Sequence, residues 1–152
     1  MTKEEFEILH NICRTEWLKL NETGLTNHTE LTMPFLCHCP ACEIASNCLG
    51  LHDLSEGLDR CKFCPITYWR NTEATLPCTF DIKSYARWVD VAGDIDYILD
   101  EGGSEYEVSN LREELKVFAK QIADLEWSWI EEYKDAQLTE RVKQAIRNFK
   151  SS

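Results

Sequence analysis

The residues with the clearest chemical potential are two pairs of cysteines in the middle of the chain. Cys39-Pro-Ala-Cys42 and Cys61-Lys-Phe-Cys64 are separated from each other by eighteen residues. Two residues between ligands allow both thiolates of a tight turn to reach one tetrahedral zinc ion, and the distance between the pairs is typical of such sites. The sequence therefore predicts a zinc ion bound by Cys39, Cys42, Cys61 and Cys64. Because four thiolates leave no coordination position for water or substrate, the predicted role of the metal is structural.

Nearby cysteines and histidines are alternatives for individual ligands, with Cys78 as the leading substitute. The full set from which four ligands are drawn is Cys37, His38, Cys39, Cys42, Cys48, His52, Cys61, Cys64 and Cys78. Disulfide bonds, a redox-active motif and an iron–sulfur cluster are other uses of such cysteines. Zinc is favoured because the N-terminal residues carry no export signal, no strand pattern precedes Cys39, and the cysteine spacing does not fit known cluster motifs.

The first element expected to position these cysteines is an amphipathic helix over residues 1–21. Thr2 and Glu5 have the spacing of a capping box, and apolar residues then recur at steps of three and four. Cys13 lies on this apolar face. We interpret it as a small core residue and not as a metal ligand.

The remainder of the chain divides into an irregular segment and a helical part. Residues 37–80 show no lasting helical or strand period, apart from a short helix near 43–48, and form the predicted zinc-binding segment. Residues 81–150 regain the helical period, and Ser104 with Glu107 predicts a second capping box. An uninterrupted apolar seam comprises Val108, Leu111, Leu115, Phe118, Ile122, Leu125 and Trp129. This seam predicts one helix that continues through Trp129 to a break near residues 134–136.

These patterns predict a mainly α fold with a single domain over residues 1–152. Helices are expected to pack around the central irregular zinc-binding segment, and the C-terminal part is expected to form a helical hairpin or bundle. Packing of the seam within the chain is favoured over a homodimer, because apolar stripes that can cover it lie in the same chain. Monomer and homodimer both remain open at this stage.

The charge of the chain bears on the partners it can bind. Sixteen basic and 27 acidic residues give a net charge of −11, and acids outnumber bases in each of the segments 1–36, 37–80 and 81–152. Proteins that bind nucleic acids need a basic face, because release of counterions from phosphates drives that binding. Nucleic acid is therefore disfavoured as a partner. Arg60, Lys62 and Arg70 form the one candidate basic spot.

Catalytic motifs are missing from the sequence, which favours a protein without enzymatic activity. Neither glycine-rich phosphate loops nor the common hydrolase and metalloprotease motifs occur. No apolar stretch is long enough to span a membrane. Five aromatic residues could build a ligand cage, but core packing is the favoured role for Trp17, Trp88, Trp127, Trp129 and Tyr133.

The order of the central motifs resembles a pattern found in small uncharacterised bacteriophage proteins. Those proteins show Cys-x-x-Cys-Glu-aromatic-Ala, then Cys-x-x-Cys-Pro-Ile with a following Trp, a further Cys, and Tyr-x-x-Trp on a helix. This chain is similar over residues 37–130, although Ile44 replaces the aromatic residue. The resemblance implies a phage or prophage product in the bacterial cytoplasm, and transfers no activity.

Charge, motifs and resemblance together give a first functional hypothesis. The chain is expected to be an acidic protein with structural Zn²⁺ that binds, and in one version inhibits, a host or phage protein. Imitation of the charge of DNA against a host defence enzyme is one such version. A nucleic-acid accessory protein that uses zinc knuckles and an enzyme without a linear motif are the alternatives.

Overall fold

The computed structural model describes residues 1–49, 60–71 and 85–152, and the protein is mainly helical. The α-helices are α1 (Lys3–Thr23), α2 (Pro40–Leu49), α3 (Thr67–Arg70), α4 (Tyr85–Asp100), α5 (Glu105–Ala123) and α6 (Glu140–Lys150). Short 3-10 helices occur at Leu36–His38, Arg60–Phe63 and Glu131–Asp135. Among these residues no helix combines the length and the apolar composition that crossing a membrane requires.

The long helix α1 contributes buried residues to two apolar cores. Its boundaries follow from its sequence: Thr2 and Glu5 form the predicted capping box, and Gly24 ends the helix in the left-handed conformation (φ 69°) that glycine adopts without steric cost. The first half of α1 buries Phe6 and Leu9, whereas the second half buries Trp17. A single amphipathic helix therefore connects both cores.

The first core lies between α1 and the antiparallel hairpin of α4 and α5. Helix α5 packs against both α1 and α4, and the predicted Ser104–Glu107 capping box starts it. Ile95, Val108 and Leu115 are fully buried at this contact. The predicted helical hairpin is therefore present, and its fully buried residues are covered from within the chain.

The second core lies between the first half of α1, α2 and the C-terminal residues. Its fully buried members include Leu9, Ile44, Tyr133 and Val142. The short helix expected near 43–48 is present as α2. It is longer than predicted, because it begins at Pro40, whose ring suits the first position of a helix.

The apolar seam continues beyond the helix that was expected to carry it. Helix α5 ends at Ala123, so Leu125 and Trp129 are not helical, and the prediction of one helix through Trp129 is wrong. The backbone turns at Asp124 and instead bonds to the segment after Cys64: the N–H of Thr67 donates to the carbonyl of Glu126 at 3.0 Å, and the N–H of Ser128 to that of Pro65 at 2.9 Å. This pairing replaces the hydrogen bonds of further helical turns.

Four of the five aromatic residues proposed for a cage divide between the two cores, and Trp127 borders both. Trp17 and Trp88 meet edge to face at 5.1 Å in the first core. In the second, Phe6 contacts Trp129 at 5.5 Å and Tyr133 at 5.6 Å. Their observed role is core packing, as predicted.

Candidate metal centre

The first cysteine pair is positioned by the beginning of helix α2. Cys39 has extended backbone (φ −135°, ψ 111°) immediately before Pro40, the first residue of the helix, and Cys42 lies in the first turn. The sulfur of Cys39 accepts hydrogen bonds from the backbone N–H groups of Ala41 and Cys42. Free N–H groups and the helix dipole stabilise an anion at this place, so the local structure suits a thiolate.

Helix α1 adds a thiol that the sequence analysis did not include in the site. Cys13 is buried, as expected of a core residue, but its side chain is hydrogen-bonded to that of Cys39. The hydrogen bonds from Cys13 and Cys42 hold the pKa of Cys39 well below its ordinary value. The hydrogen bond to Cys39, together with burial, raises the pKa of Cys13 well above its ordinary value. No linear spacing reveals this contact, because it joins residues 26 positions apart.

The second cysteine pair is held against the same helix, α2. Cys61 lies in the 3-10 helix Arg60–Phe63, which packs against α2, and the N–H of Cys64 donates to the carbonyl of Cys61 at 3.2 Å. Cys64 is buried in the same core cluster as Cys13, with Cys39 at its border. The fold therefore brings both predicted pairs to one region, together with Cys13.

The donor chemistry fits zinc, although the described residues do not form a closed ligand set. Within residues 1–49, 60–71 and 85–152, no three Cys, His, Asp or Glu side chains group as ligands of a metal ion. Thiolates that accept backbone N–H groups are nevertheless the donors and outer-shell partners of structural zinc sites. Two of the predicted alternatives, His52 and Cys78, lie outside the described residues.

Three other alternative ligands lie at the edges of this region. Cys37 and His38 are exposed, and Cys48 is partly buried near the end of α2. Both Cys37 and His38 adopt φ of 54°, which is uncommon for residues other than glycine. The turn is held by Glu43, whose carboxylate accepts the N–H of Leu36 at 2.7 Å. Glu43 thus holds the segment that leads into the first cysteine pair.

Arg70 joins the second cysteine pair to the C-terminal part. Its guanidinium donates to the carbonyls of Cys64 and Ser128 at 3.3 and 3.1 Å, to the hydroxyl of Ser128 and to the hydroxyl of Tyr133 at 3.3 Å. Tyr133 in turn donates to the carbonyl of Phe63 at 2.8 Å.

Arg70 is therefore engaged inside the fold and contributes little to the predicted basic spot. Lys62 is exposed, and the side chain of Arg60 lies outside the described part of the chain.

Removal of the Tyr133 hydroxyl should destabilise the protein by about 1–3 kcal/mol, the typical cost of leaving a buried polar group without its partner. Burial raises the pKa of Tyr133 far above its ordinary value, so the hydroxyl remains a donor to Phe63. Urea unfolding of Tyr133→Phe measures this loss. Tyr68→Phe is the matched control, because Tyr68 is exposed. Equal stabilities of the two variants would show that the network contributes nothing.

A buried carboxylate organises the loop that precedes the first cysteine pair. Glu16 of α1 is completely buried and accepts the N–H of Thr29 at 2.6 Å and its hydroxyl. The Nδ1 atom of His28 lies 3.4 Å from the same carboxylate. An open groove of about 420 Å³ beside this loop is lined by Lys19 and residues 25–31. Sequence patterns did not identify Glu16, which lies next to Trp17 on the helix.

Comparison of the chain with protein-family models, curated protein sequences and solved structures finds no match.

Proposed function

We propose that this chain is an acidic, zinc-stabilised protein that binds and modulates another protein, and that its docking face is the end of the α4–α5 hairpin. In this proposal Cys39, Cys42, Cys61 and Cys64 bind one structural zinc ion, with Cys78 as the substitute ligand. The resemblance to phage proteins favours a host or phage protein as the partner, in the bacterial cytoplasm.

The observation that carries this proposal is the combination of charge and exposed tyrosine at the hairpin end. Residues 88–111 contain seven acidic residues and no Lys, Arg or His. Tyr97 in the last turn of α4 is 68% exposed, and Tyr106 in the first turn of α5 is 89% exposed. Tyrosine is enriched in protein interfaces, whereas a face that only keeps a protein soluble has no need of exposed rings.

Charge complementarity identifies the kind of partner. Among the described residues, Arg112 with Glu105, at 2.7 Å, is the one ion pair formed by the seven acids. The other six carboxylates leave the face strongly negative. A partner with a basic surface would be attracted to it over a long range, and an enzyme that handles nucleic acid has such a surface.

A nucleic-acid accessory role receives less support. It needs a basic face, and the guanidinium of Arg70 is committed to Ser128 and Tyr133 inside the fold.

Photo-crosslinking from the hairpin end tests the proposed docking face. A benzoylphenylalanine at position 97 or 106 should capture one basic protein from host lysate, and the same group at exposed Glu30 should not. Asp94→Lys with Asp100→Lys should weaken binding of that protein at least about tenfold, because opposite charge becomes like charge. Glu30→Lys with Glu132→Lys makes the same change of net charge on exposed acids elsewhere and should leave binding nearly unchanged. Equal weakening by both double variants would contradict a specific face.

A further inference from the structure

Helix α4 contains a glycine for which the fold of the chain gives no reason. Gly93 lies in the middle of Tyr85–Asp100, where glycine lowers the stability of a helix relative to alanine. It does not adopt the positive φ of Gly24 and Gly102. Among the described residues, a Cβ atom built on Gly93 would meet no heavy atom within 4 Å apart from its own helical surroundings. The missing side chain therefore leaves room for an element that approaches α4 from outside the described fold.

The neighbours of Gly93 on this side of α4 are exposed apolar and aromatic side chains. Val89 and Tyr97 lie four residues before and after the glycine, so all three share one face of the helix. Val89 is 45% and Tyr97 68% exposed, whereas the opposite side of α4 buries Val91 and Ile95 in the first core. This glycine face, formed by Val89, Gly93 and Tyr97, has a low centre between two larger side chains. Such a surface suits a second helix, because helices pack by placing the side-chain ridges of one into the grooves of the other.

Acidic residues around the glycine face identify the charge of that second helix. The exposed carboxylates nearest to it along α4 are those of Asp90, Asp94, Asp100 and Glu101. Residues 88–111 contain no base that could neutralise them. A second copy of this chain would bring the same carboxylates against each other, which is unfavourable. A helix whose apolar stripe is flanked by Lys and Arg fits both the groove and the charge.

We propose that the glycine face binds a basic amphipathic α-helix of the partner protein. The helix packs across Gly93 between Val89 and Tyr97, and its Lys and Arg side chains pair with the surrounding carboxylates. Binding of an amphipathic helix through its apolar stripe is a recurring mode of protein recognition. The inference rests on the proposed docking face and deepens it, because it names the element that occupies that face.

Replacement of Gly93 tests the close approach of the two helices. The probe is a fluorescent peptide of about twenty residues, long enough to form a helix, in which Leu and Ala recur at helical spacing and Lys fills the other positions. Fluorescence anisotropy should show that Gly93→Leu binds this peptide at least about tenfold more weakly than the original chain, because the new side chain fills the space of the bound helix. Thr15→Leu places the same side chain at an exposed position of α1 and should leave binding unaltered. Stronger binding by Gly93→Leu would contradict close approach and indicate a flat apolar surface.

A second peptide separates helix packing from attraction by charge alone. It has the same composition, but its residues are scrambled out of helical spacing. Equal binding of both peptides, unaffected by Gly93→Leu, would overturn the bound helix and leave the acidic docking face in place. If Asp94→Lys with Asp100→Lys weakens neither peptide, the docking face itself fails. If neither peptide binds the original chain, the bound helix is refuted, and the crosslinking experiment decides the docking face independently.

Two further measurements decide whether something else occupies the glycine face. A lower melting temperature of Gly93→Leu would show that this chain covers the face itself. An uncovered face predicts an equal or higher melting temperature, because leucine is the better helix former. A dimer in analytical ultracentrifugation that dissociates in Gly93→Leu would make a second copy the occupant. Either a lower melting temperature or such a dimer would overturn the proposal.

Discussion

Removal of the proposed zinc ion should lower the melting temperature of this protein by roughly 10–20 °C. Structural zinc contributes an apparent ~10–16 kcal/mol in small modules that have little core of their own. Most buried residues of the first core come from α1, α4 and α5, although Cys13 and Cys64 also belong to it, so a smaller share, about 5 kcal/mol, is expected here. For a chain of this size ~1 kcal/mol corresponds to about 2–4 °C. Thermal unfolding followed by circular dichroism, before and after chelation and after return of zinc, measures the effect.

The loss of structure should be local before it becomes global. Segments 36–49 and 60–71 carry the cysteine pairs and should lose protection from hydrogen exchange when the metal is removed. Helices α4 and α5 should stay protected, because they pack against each other and α5 packs against α1, with Ile95, Val108 and Leu115 fully buried. Simultaneous loss of protection in both regions would contradict an independent helical hairpin.

Single cysteine replacements provide the matched controls for this experiment. Cys39→Ser should reproduce the effect of chelation without any chelator, because it removes a predicted ligand whose sulfur accepts backbone N–H groups. Cys48→Ser changes a cysteine of the same helix that borders the second core, and should leave metal content unaltered. A chelator that leaves the melting temperature unchanged, in a protein that contains no metal, would remove the basis of the zinc proposal.

The helices were predictable because their signals are local. The capping boxes at Thr2 and Ser104 each depend on residues within one helical turn, and the structure places both as expected. Periodic apolar positions likewise predicted which faces are buried. The end of α5 was not predictable in the same way, because residues 126–128 exchange helical hydrogen bonds for partners at 65–67, about sixty positions away.

The candidate site shows the same difference between local signals, which the sequence reveals, and contacts between distant residues, which it does not. Cys39, Cys42, Cys61 and Cys64 follow from spacing, because a tight turn is a local structure. Cys13 does not follow from spacing, because a cysteine on an apolar helix face gives the same sequence pattern whether its thiol contacts apolar side chains or another cysteine. Only the packing of α1 against the start of α2 distinguishes the two cases.

Replacement of Glu16 by glutamine should destabilise the protein by about 2–4 kcal/mol at neutral pH. The carboxylate is fully buried and accepts hydrogen bonds from the N–H and hydroxyl of Thr29, with His28 at 3.4 Å. Hydrogen bonds to a buried charged group contribute more than those between neutral groups, and a glutamine oxygen with an adjoining NH₂ cannot accept the same set. Glu22→Gln on the same helix is the control, because Glu22 is exposed and should change stability little.

The pH dependence of the stability lost in Glu16→Gln shows whether the charge of the Glu16 carboxylate is the source of the stabilisation. Burial alone would raise the pKa of Glu16, but the adjacent His28 and the hydrogen bonds from Thr29 outweigh it and lower the pKa. In the unfolded chain the pKa of a glutamate is higher, near 4.3. As the pH falls, Glu16 therefore binds a proton more readily in the unfolded chain than in the folded protein. The stabilisation by Glu16 is therefore complete above that value and disappears as the pH decreases through the lower folded pKa. Urea unfolding should show that the free energies of unfolding of the original chain and of Glu16→Gln differ less near pH 3 than at pH 7. A difference that does not change with pH would mean that the variant loses the shape of the side chain and not its charge.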